Sequence, residues 1–277
     1  MPNALLTVVS FRETSWEPRY LKEIRSFVKI IGGNFYLWDD IMGINQKFWK
    51  NSSIDIIFVV SWRYYLPPEI YRGTKIGSYL FHDSLLPENR GFLPTIWSII
   101  NGKSYTGVTL LEIDDQIDSE DIIYQAKVSF DSRDQIPKIL DLVAKNYLMI
   151  LSKNLNNIIK SDITKTPQNH ALATYNPKRT LRYNMIDWNF SAKQIYNMAR
   201  ALTKPYPGAF TYLNKNKIII WKAIIVKKNY INGNNAPGSV IEIIKNKGVA
   251  INTAHGYILI KIIQIENDEP QNARIMI

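Results

Sequence analysis

The alternation of short apolar runs with stretches of helical spacing over the first 160 residues restricts the fold more than any other feature. Short apolar runs typical of strands lie at 4–11, 34–38, 54–62, 77–81, 107–113 and 121–130. Apolar residues recur at helical spacing over 17–31, 93–100 and 135–159. The run at 54–62 is apolar throughout, as in a strand covered on both faces. This rhythm predicts an α/β domain with a largely parallel, Rossmann-like sheet.

The character of the sequence changes after Ser161. Polar residues with Pro167 and Pro177 predict a connector along the surface, and a helix over 191–202 follows with Ser191 as its cap. Short β segments separated by turn residues then lie at 210–213, 217–226, 238–244, 248–252 and 257–265. The sequence therefore predicts a first domain over 1–180, a connecting helical region over 181–204 and a small C-terminal β-barrel, of the OB-like kind, over 205–277.

The chain of 277 residues carries a formal charge of +10 and contains no cysteine. The charge indicates an anionic partner, for which a nucleic acid, a nucleotide, a polyglutamated cofactor and an acidic lipid all qualify. Because the lysines are scattered, a solvated lysine-rich surface is favoured over binding to polymeric nucleic acid. The first 25 residues lack the features of a secretion signal, and no apolar run reaches the length of a transmembrane helix. We therefore expect a cytoplasmic protein with no membrane segment.

His82 and an acidic cluster are the strongest candidates for chemistry. His82 ends a predicted strand, where parallel α/β sheets hold ligands, and another strand is followed by Glu112, Asp114, Asp115, Asp118, Glu120 and Asp121. A structural histidine and a solvated turn are the plainer interpretations. If the two strand ends lie side by side in a parallel sheet, a carboxylate orients the imidazole and holds its protonated form, which is a device for proton transfer. The other histidines, His170 and His255, lack the companion ligands of a metal site, so we expect no metal.

The segment from His82 to Gln125 resembles the signature region of the 10-formyltetrahydrofolate-dependent formyltransferases. The shared elements after the histidine are SLLP at 84–87, RG at 90–91, Pro94, NG at 101–102, TGVT at 106–109 and an acidic loop containing Asp118. Similarity resumes at 186–188, at 200–201 and at PYPGAF over 205–210, so it covers both predicted domains. This family includes methionyl-tRNA, glycinamide ribonucleotide and sugar-nucleotide N-formyltransferases.

The resemblance implies that an amine attacks the formyl carbon of 10-formyltetrahydrofolate, with His82 and Asp118 as the catalytic residues and without a metal. His82 would accept the amine proton or stabilise the oxyanion. Asp118 would hold His82 and assist proton transfer to the leaving nitrogen. The residues implied to form the pterin pocket are Arg63, Tyr64, Tyr65, Ile117 and Asp118. For the first three, an ordinary aromatic-rich rim is the alternative.

One position departs from the family pattern in a way that affects catalysis. The family usually carries an asparagine two residues before the histidine, where its amide donates to the oxyanion, and this chain has Leu80 there. Leucine cannot donate, and losing one such donor costs about 2.7–4 kcal/mol of transition-state stabilisation. Protonated His82 is the first candidate to replace it, ahead of Ser78 and nearby backbone amides. Gln116 and Glu120 occupy positions where glycine is common in the family.

The resemblance also bears on the acceptor. Relatives that formylate transfer RNA carry a basic, glycine-containing insertion that the stretch 32–50 lacks. The segment 81–102, with Asp83 and Trp97, looks most like enzymes that formylate dTDP-4-amino-4,6-dideoxyglucose for surface polysaccharide. A sugar nucleotide needs cations for its diphosphate and flat apolar surfaces for its base. The substrate-binding candidates are Arg90, Trp97, Arg179, Arg200 and Tyr206.

Plainer roles stand beside each of these assignments. The arginines suit structural ion pairs equally well, Trp97 suits core packing, and Gly208 beside Tyr206 permits a tight turn. A methionyl-tRNA formyltransferase and a non-catalytic folate or sugar-nucleotide binding protein remain alternative functions. Small-molecule partners are favoured over polymeric nucleic acid and membrane, and exposed sheet edges are compatible with a homodimer.

Overall fold

A computed structural model describes residues 4–14, 19–42, 49, 53–115, 118–226, 236–266 and 268–273. The chain divides into two compact units, the first comprising 1–58 and 62–78 and the second comprising 59–61 and 79–277. Within the described ranges, no helix combines the length and the apolar character needed to cross a membrane.

The secondary structure alternates as the sequence predicts. The helices are α1 (Leu21–Ile30), α2 (Trp38–Met42), α3 (Pro68–Tyr71), α4 (Pro94–Ile100), α5 (Ile136–Ile159) and α6 (Ala192–Leu202). The strands up to the connector are β1 (Thr7–Ser10), β2 (Asn34–Leu37), β3 (Ile56–Val60), β4 (Gly77–His82), β5 (Arg90–Gly91), β6 (Tyr105–Glu112), β7 (Ile122–Ser129) and β8 (Tyr175–Asn176). The C-terminal strands are β9 (Ala209–Leu213), β10 (Asn216–Val226), β11 (Val240–Ile244), β12 (Gly248–Asn252), β13 (Tyr257–Ile265) and β14 (Gln271–Asn272).

The first unit is built around a parallel pair of strands and an aromatic core. β1 and β2 pair in parallel, with Val8 opposite Phe35, and α1 connects them as the apolar spacing predicts. Buried Trp38, Ile41 and Ile70 form the centre of the core. The partly buried side chains packed around them are Val9, Phe11, Tyr36, Trp49, Ile57, Trp62, Tyr64 and Leu66. This unit has the α/β character expected of the N-terminal part.

The second unit contains the strands that carry His82 and the acidic loop. β4 pairs with β6 in antiparallel register, with His82 opposite Thr109, and β6 pairs with β7 in the same sense. The expectation that His82 and the acidic cluster follow neighbouring parallel strands is therefore wrong. The connection between β6 and β7 is short, which suits a hairpin and leaves no room for the helix that a parallel crossover requires. The acidic loop reaches His82 by folding back from this hairpin.

The C-terminal strands form one antiparallel sheet in the order β11-β12-β13-β10-β9, with β14 paired to β13. Its apolar face shares a single core with α4, α5 and α6, which contains Ile96, Ile139, Ile195, Ile220 and Ile260 among other residues. The α/β fold with a small antiparallel C-terminal β domain is thus confirmed. Among the described residues, no pairing joins β11 to β9.

Helix α6 begins where the sequence predicts. Ser191 accepts a hydrogen bond from the backbone N–H of Gln194, and the Gln194 side chain accepts one from the backbone N–H of Ser191. This capping box satisfies two of the N–H groups that a helix start leaves free. The helix then packs between α4 and the C-terminal sheet, which fixes the connector that leads into it.

Candidate active site

His82 lies at the last position of β4 and is 8% exposed. Its Nε2 is 2.9 Å from the backbone carbonyl oxygen of Asn89, which can only accept a hydrogen bond. Its Nδ1 lies 3.4 Å from Asp118 Oδ1, which is ion-pair distance and too long for a strong hydrogen bond. Both ring nitrogens therefore face oxygen acceptors, and a protonated ring satisfies both contacts. Catalytic hydrogen bonds of this kind often tighten only when substrate is bound.

Asp118 is held in one orientation by its surroundings. Its Oδ2 accepts a 2.7 Å hydrogen bond from the backbone N–H of Gly91, which leaves Oδ1 to face His82. Asp118 adopts a left-handed backbone with φ of 54°, which is uncommon for a residue other than glycine. The Gln168 side chain supports this turn by donating to the Asp118 carbonyl oxygen at 3.1 Å. The carboxylate therefore reaches His82 as part of a fixed loop.

Gly91 explains why the RG pair matters to the site. Its φ is +91°, and a Cβ at this position would lie 2.7 Å from the carbonyl oxygen of Asn176. Arg90 and Gly91 form β5, which pairs in parallel with Tyr175 and Asn176 of the connector. A side chain at Gly91 would push this strand pair apart and displace the N–H that holds Asp118.

Arg90 is buried and bonded within the protein, and its contact with a substrate diphosphate stays a prediction. It is 2% exposed, and its guanidinium donates to Gln168 Oε1 at 2.7 and 3.2 Å and to the Tyr175 hydroxyl at 2.8 Å. A further contact of 3.0 Å joins it to His170 Nδ1. Its guanidinium is therefore buried among protein partners. Through Gln168 it links the connector to the loop that carries Asp118. The same contacts give the His170 side chain a structural partner.

Arg200 and Tyr206 also have structural positions. Arg200 is 4% exposed and donates to Asn197 Oδ1 and to the Asp134 carbonyl oxygen, both at 3.0 Å. Burial lowers the pKa of its guanidinium, and Tyr196 nearby opposes that change. Tyr206 packs against the core shared with the C-terminal sheet. Arg200 is therefore held by protein partners and Tyr206 lies against the core, and their substrate contacts stay predictions.

Trp97 and Arg179 are the two predicted acceptor residues that the structure brings together. The Arg179 guanidinium carbon lies 4.8 Å from the centroid of the Trp97 ring, as in a cation–π contact. Arg179 Nη2 donates to the Tyr183 carbonyl oxygen at 2.6 Å and to Asn184 Oδ1 at 3.1 Å. Trp97 Nε1 and Arg179 Nε are buried and have no hydrogen-bond partner among the described residues, and neither has Asn176 Nδ2. Buried donors without partners are costly unless another molecule satisfies them.

The predicted pterin residues are divided between the two units. Arg63 lies in the first unit, with its guanidinium carbon 4.1 Å from the Phe11 ring centroid and Nη2 donating to the Arg12 carbonyl oxygen at 3.0 Å. Tyr64 stacks on Trp38 in the aromatic core, whereas Tyr65 is 70% exposed. Asp118 belongs to the second unit, and Ile117 lies outside the described residues.

Leu80 lies on the same strand face as His82, because side chains two residues apart in a strand point the same way. It is partly buried and pairs in register with Leu111. The Ser78 hydroxyl donates to the Tyr71 carbonyl oxygen at 3.0 Å and lies 3.2 Å from the Thr74 hydroxyl. The Ser78 hydroxyl is therefore bonded elsewhere. Protonated His82 would donate to an oxyanion only by exchanging one of its contacts, with Asn89 or Asp118.

Asp83 anchors the strand end from the other side. The Tyr147 hydroxyl of α5 donates to its carboxylate, and its carbonyl oxygen accepts from Thr106 at 2.8 Å. Burial raises the pKa of the Asp83 carboxyl from 3.8 to about 6, and the charge of His82 opposes this. Asp83 thus holds β4 against α5.

Replacing Asp83 by asparagine is expected to stabilise the fold above neutral pH. Because the folded-state pKa is raised, the stability linked to the protonated carboxyl is complete below pH 3.8 and is lost as the pH rises through about 6. The free energy of unfolding of Asp83→Asn should exceed that of wild type by up to about 3 kcal/mol at about pH 8. Urea denaturation at several pH values measures this difference, which should vanish near pH 4. A variant less stable than wild type at high pH would show that the carboxylate is the favoured form.

Three functional elements have little sequence signal. They are the Asn89 carbonyl, the Gly91 N–H and the Gln168 side chain, which hold His82, the Asp118 carboxylate and the Asp118 backbone. The Asn89 carbonyl and the Gly91 N–H are backbone groups, which the sequence does not single out. Of the two, only Gly91 belongs to a motif, the RG pair. Among the described residues, no group of three or more His, Asp or Glu side chains is arranged to hold a metal ion.

Known proteins resemble this chain over both parts. The family model described as "Formyl transferase" matches residues 44–155, and that described as "Formyl transferase, C-terminal domain" matches residues 181–277. The bifunctional polymyxin resistance protein ArnA of Wigglesworthia glossinidia brevipalpis is 39% identical over 68% of this chain and 28% of its own length. The chain therefore spans little more than a quarter of that relative.

A methionyl-tRNA formyltransferase of Sulfurihydrogenibium sp. is 36% identical over 80% of this chain and 70% of its own length. Among solved structures, WlaRD, a sugar 3N-formyltransferase crystallised with dTDP and 5-N-formyl-THF, superposes with a TM-score of 0.67 at 22% identity. That similarity covers 95% of this chain and 88% of WlaRD, and it concerns the fold. From the matches to both domains and the identity to full-length relatives, the chain belongs to the formyltransferase family.

Proposed function

We propose that this protein is an N-formyltransferase that moves a formyl group from 10-formyltetrahydrofolate to the amine of a nucleotide-linked amino sugar. The observation that carries the chemistry is the contact of His82 with Asp118, whose second oxygen is held by Gly91. An imidazole and a carboxylate arranged in this way can take up and release a proton near neutral pH.

The reaction that this pair would serve needs no net change in protons. The amine nitrogen forms a bond to the formyl carbon, and the bond from that carbon to N10 of the folate breaks. One proton leaves the amine and one proton arrives on N10. His82 stabilises the developing oxyanion in its protonated form or accepts the amine proton, and Asp118 keeps the ring oriented and assists passage of the proton to N10.

The acceptor assignment is supported by the contact between Trp97 and Arg179. A flat aromatic face and a cation suit a base and a diphosphate, and each side chain has one N–H without a partner among the described residues. Exposed Phe92, with Lys178 5.7 Å from its ring centroid, extends this mixed aromatic and cationic surface. The resemblance of segment 81–102 to enzymes that act on dTDP-4-amino-4,6-dideoxyglucose makes this precursor of surface polysaccharide the best candidate acceptor.

An acceptor panel tests this assignment. The purified protein is incubated with 10-formyltetrahydrofolate and a set of dTDP- and UDP-linked amino sugars, and mass spectrometry follows the products. We expect a product heavier by one formyl group with the dTDP-4-amino sugar. Absence of turnover across the whole panel would exclude a sugar-nucleotide acceptor.

Substitution at the aromatic and cationic surface is expected to weaken acceptor binding selectively. Arg179→Gln and Trp97→Ala should each raise the acceptor KM about 10- to 100-fold, because hydrogen bonds to charged groups contribute about 1.5–3 kcal/mol. The KM for 10-formyltetrahydrofolate should stay unchanged. Arg182→Gln, an exposed arginine of the same segment, is the matched control. Equal effects on both substrates would indicate a structural role for Trp97 and Arg179.

A methionyl-tRNA acceptor is the second candidate, favoured by the net charge of +10 and by the curated relative of that name. Formylation of charged initiator tRNA, with an affinity that falls steeply as salt rises, would support it. A folate or sugar-nucleotide binding protein without catalysis is the third candidate, favoured by Leu80. Tight binding of both ligands without product would support that candidate.

We also propose a cytoplasmic location, which the composition supports. A homodimer formed through the sheet edges is compatible with the fold. Sedimentation velocity of the purified protein tests the second statement directly. A single species of 32.1 kDa would exclude the dimer.

A further inference from the structure

The acidic loop contains a second buried carboxyl close to Asp118. Glu120 is 4% exposed, and its Oε2 has no hydrogen-bond partner among the described residues. Its backbone carbonyl oxygen accepts a 2.7 Å hydrogen bond from Gln168 Nε2, the same amide that donates to the Asp118 carbonyl oxygen. One side-chain amide therefore fixes the backbone of both acidic residues.

The two carboxyl groups differ in how their charge is satisfied. Asp118 has a backbone N–H on one oxygen and His82 beside the other, so its anion is well accommodated. Glu120 has one carboxyl oxygen that is buried and without a partner in the part of the chain that the structure describes, which favours the neutral acid. These surroundings therefore favour the anion at Asp118 and the neutral acid at Glu120.

The charged groups around Glu120 point the same way. Burial, together with the charges of Asp118 and Asp114, raises the pKa of its carboxyl from 4.5 to about 7, and the backbone amides of Glu120 and Ser119 oppose this change. The connector packs against this loop through the bridge between Ile122 and Thr166. Its nearby cation, Lys165, is paired with Glu112. Arg90 donates to the side-chain oxygen of Gln168, whereas the amide nitrogen of Gln168 faces Glu120.

We propose that Glu120 is a positioning residue of the His82–Asp118 centre, a neutral acid that keeps Asp118 as the single anion facing His82. When Glu120 ionises, a second negative charge appears beside Asp118 and increases the affinity of His82 for its proton. The ring then releases its proton less readily, and proton transfer slows.

Direct titration tests the proposal without any acceptor. Protein labelled with ¹³C at the glutamate carboxyl carbons is titrated by NMR, and the Glu120 resonance is assigned by its absence from Glu120→Gln. We expect a midpoint near pH 7 in wild type. Asp118→Asn should lower that midpoint, because the like charge is removed while the burial remains. A midpoint in the ordinary range of glutamate, or one unchanged by Asp118→Asn, would overturn the proposal.

The kinetic experiment rests on the proposed formyl transfer. A failure of the Glu120 proposal can still be distinguished from a failure of the proposed function. In wild type, kcat/KM should fall as Glu120 ionises near pH 7, and this fall should be absent from Glu120→Gln and present in Glu112→Gln, at the end of β6. Superimposable profiles of wild type and Glu120→Gln would overturn the proposal. If no acceptor is turned over, the titration of wild type and Asp118→Asn still decides it. Glu120→Gly supplies the assignment if Glu120→Gln does not fold.

Discussion

Replacing His82 by asparagine is expected to lower kcat/KM for formyl transfer about 10²- to 10⁴-fold, the usual contribution of a positioned acid–base group. Asparagine keeps a hydrogen-bonding side chain of similar reach but cannot exchange a proton near neutral pH. The folate KM should change little, because His82 contacts Asn89 and Asp118 in the structure and holds no other described group. Steady-state kinetics with the acceptor identified from the panel measure both constants.

The control for this variant is His255→Asn. His255 is exposed, and its backbone carbonyl accepts a hydrogen bond from Ala192 at 3.0 Å, so its side chain is free to change. Its activity should equal that of wild type. Asp118→Asn should show a loss comparable to that of His82→Asn, and the double variant should lose little more, because residues that act as a unit are not additive. Activity in His82→Asn within a few-fold of wild type would remove His82 from the chemistry.

Replacing Leu80 by asparagine is expected to increase kcat about 10²- to 10³-fold, because one oxyanion donor contributes about 2.7–4 kcal/mol. Leu80 occupies the same face of β4 as His82 and is only partly buried, so a side-chain amide there lies next to the imidazole without filling the core. The folate and acceptor KM values should change little, because the oxyanion forms only during the reaction.

Leu80→Met is the matched control, because methionine has a similar volume and no donor. It should leave kcat unchanged. If Leu80→Asn is no faster than wild type, another donor already stabilises the oxyanion. Protonated His82 is then the donor that the structure offers, since the Ser78 hydroxyl is bonded to Tyr71.

Elements with a clear local signal could be predicted from the sequence. The strands at 248–252 and 257–265 have the bounds expected from their alternation and flanking turns, and the cap of α6 follows from Ser191 and Gln194. His82 and Asp118 come together as expected, although their strands pair in the opposite sense. The connection between β4 and β6 contains α4 and is long enough for pairing in either sense, so the order of the apolar runs does not distinguish parallel from antiparallel strands.

The acceptor residues could not be ranked from the sequence. The sequence does not distinguish three arginines, Arg90, Arg179 and Arg200, from one another. Only the fold shows that Arg90 and Arg200 are buried among neutral partners, whereas Arg179 lies on Trp97. Burial of an arginine depends on distant segments, such as the connector that supplies Gln168. Long-range hydrogen bonds of this kind leave no periodic pattern in the chain.

Comparison of wild type with the double variant His82→Asn and Asp118→Asn tests the central claim most directly. Each protein is incubated with 10-formyltetrahydrofolate and the preferred acceptor, the N-formyl product is measured by mass spectrometry, and folate binding is measured by calorimetry. We predict that wild type forms the product and that the double variant still binds folate, with an affinity lowered only as far as the Asp118 contact contributes to the pterin pocket, but forms at most traces of product. Equal product from both proteins would contradict the assignment of His82 and Asp118 as the centre of formyl transfer.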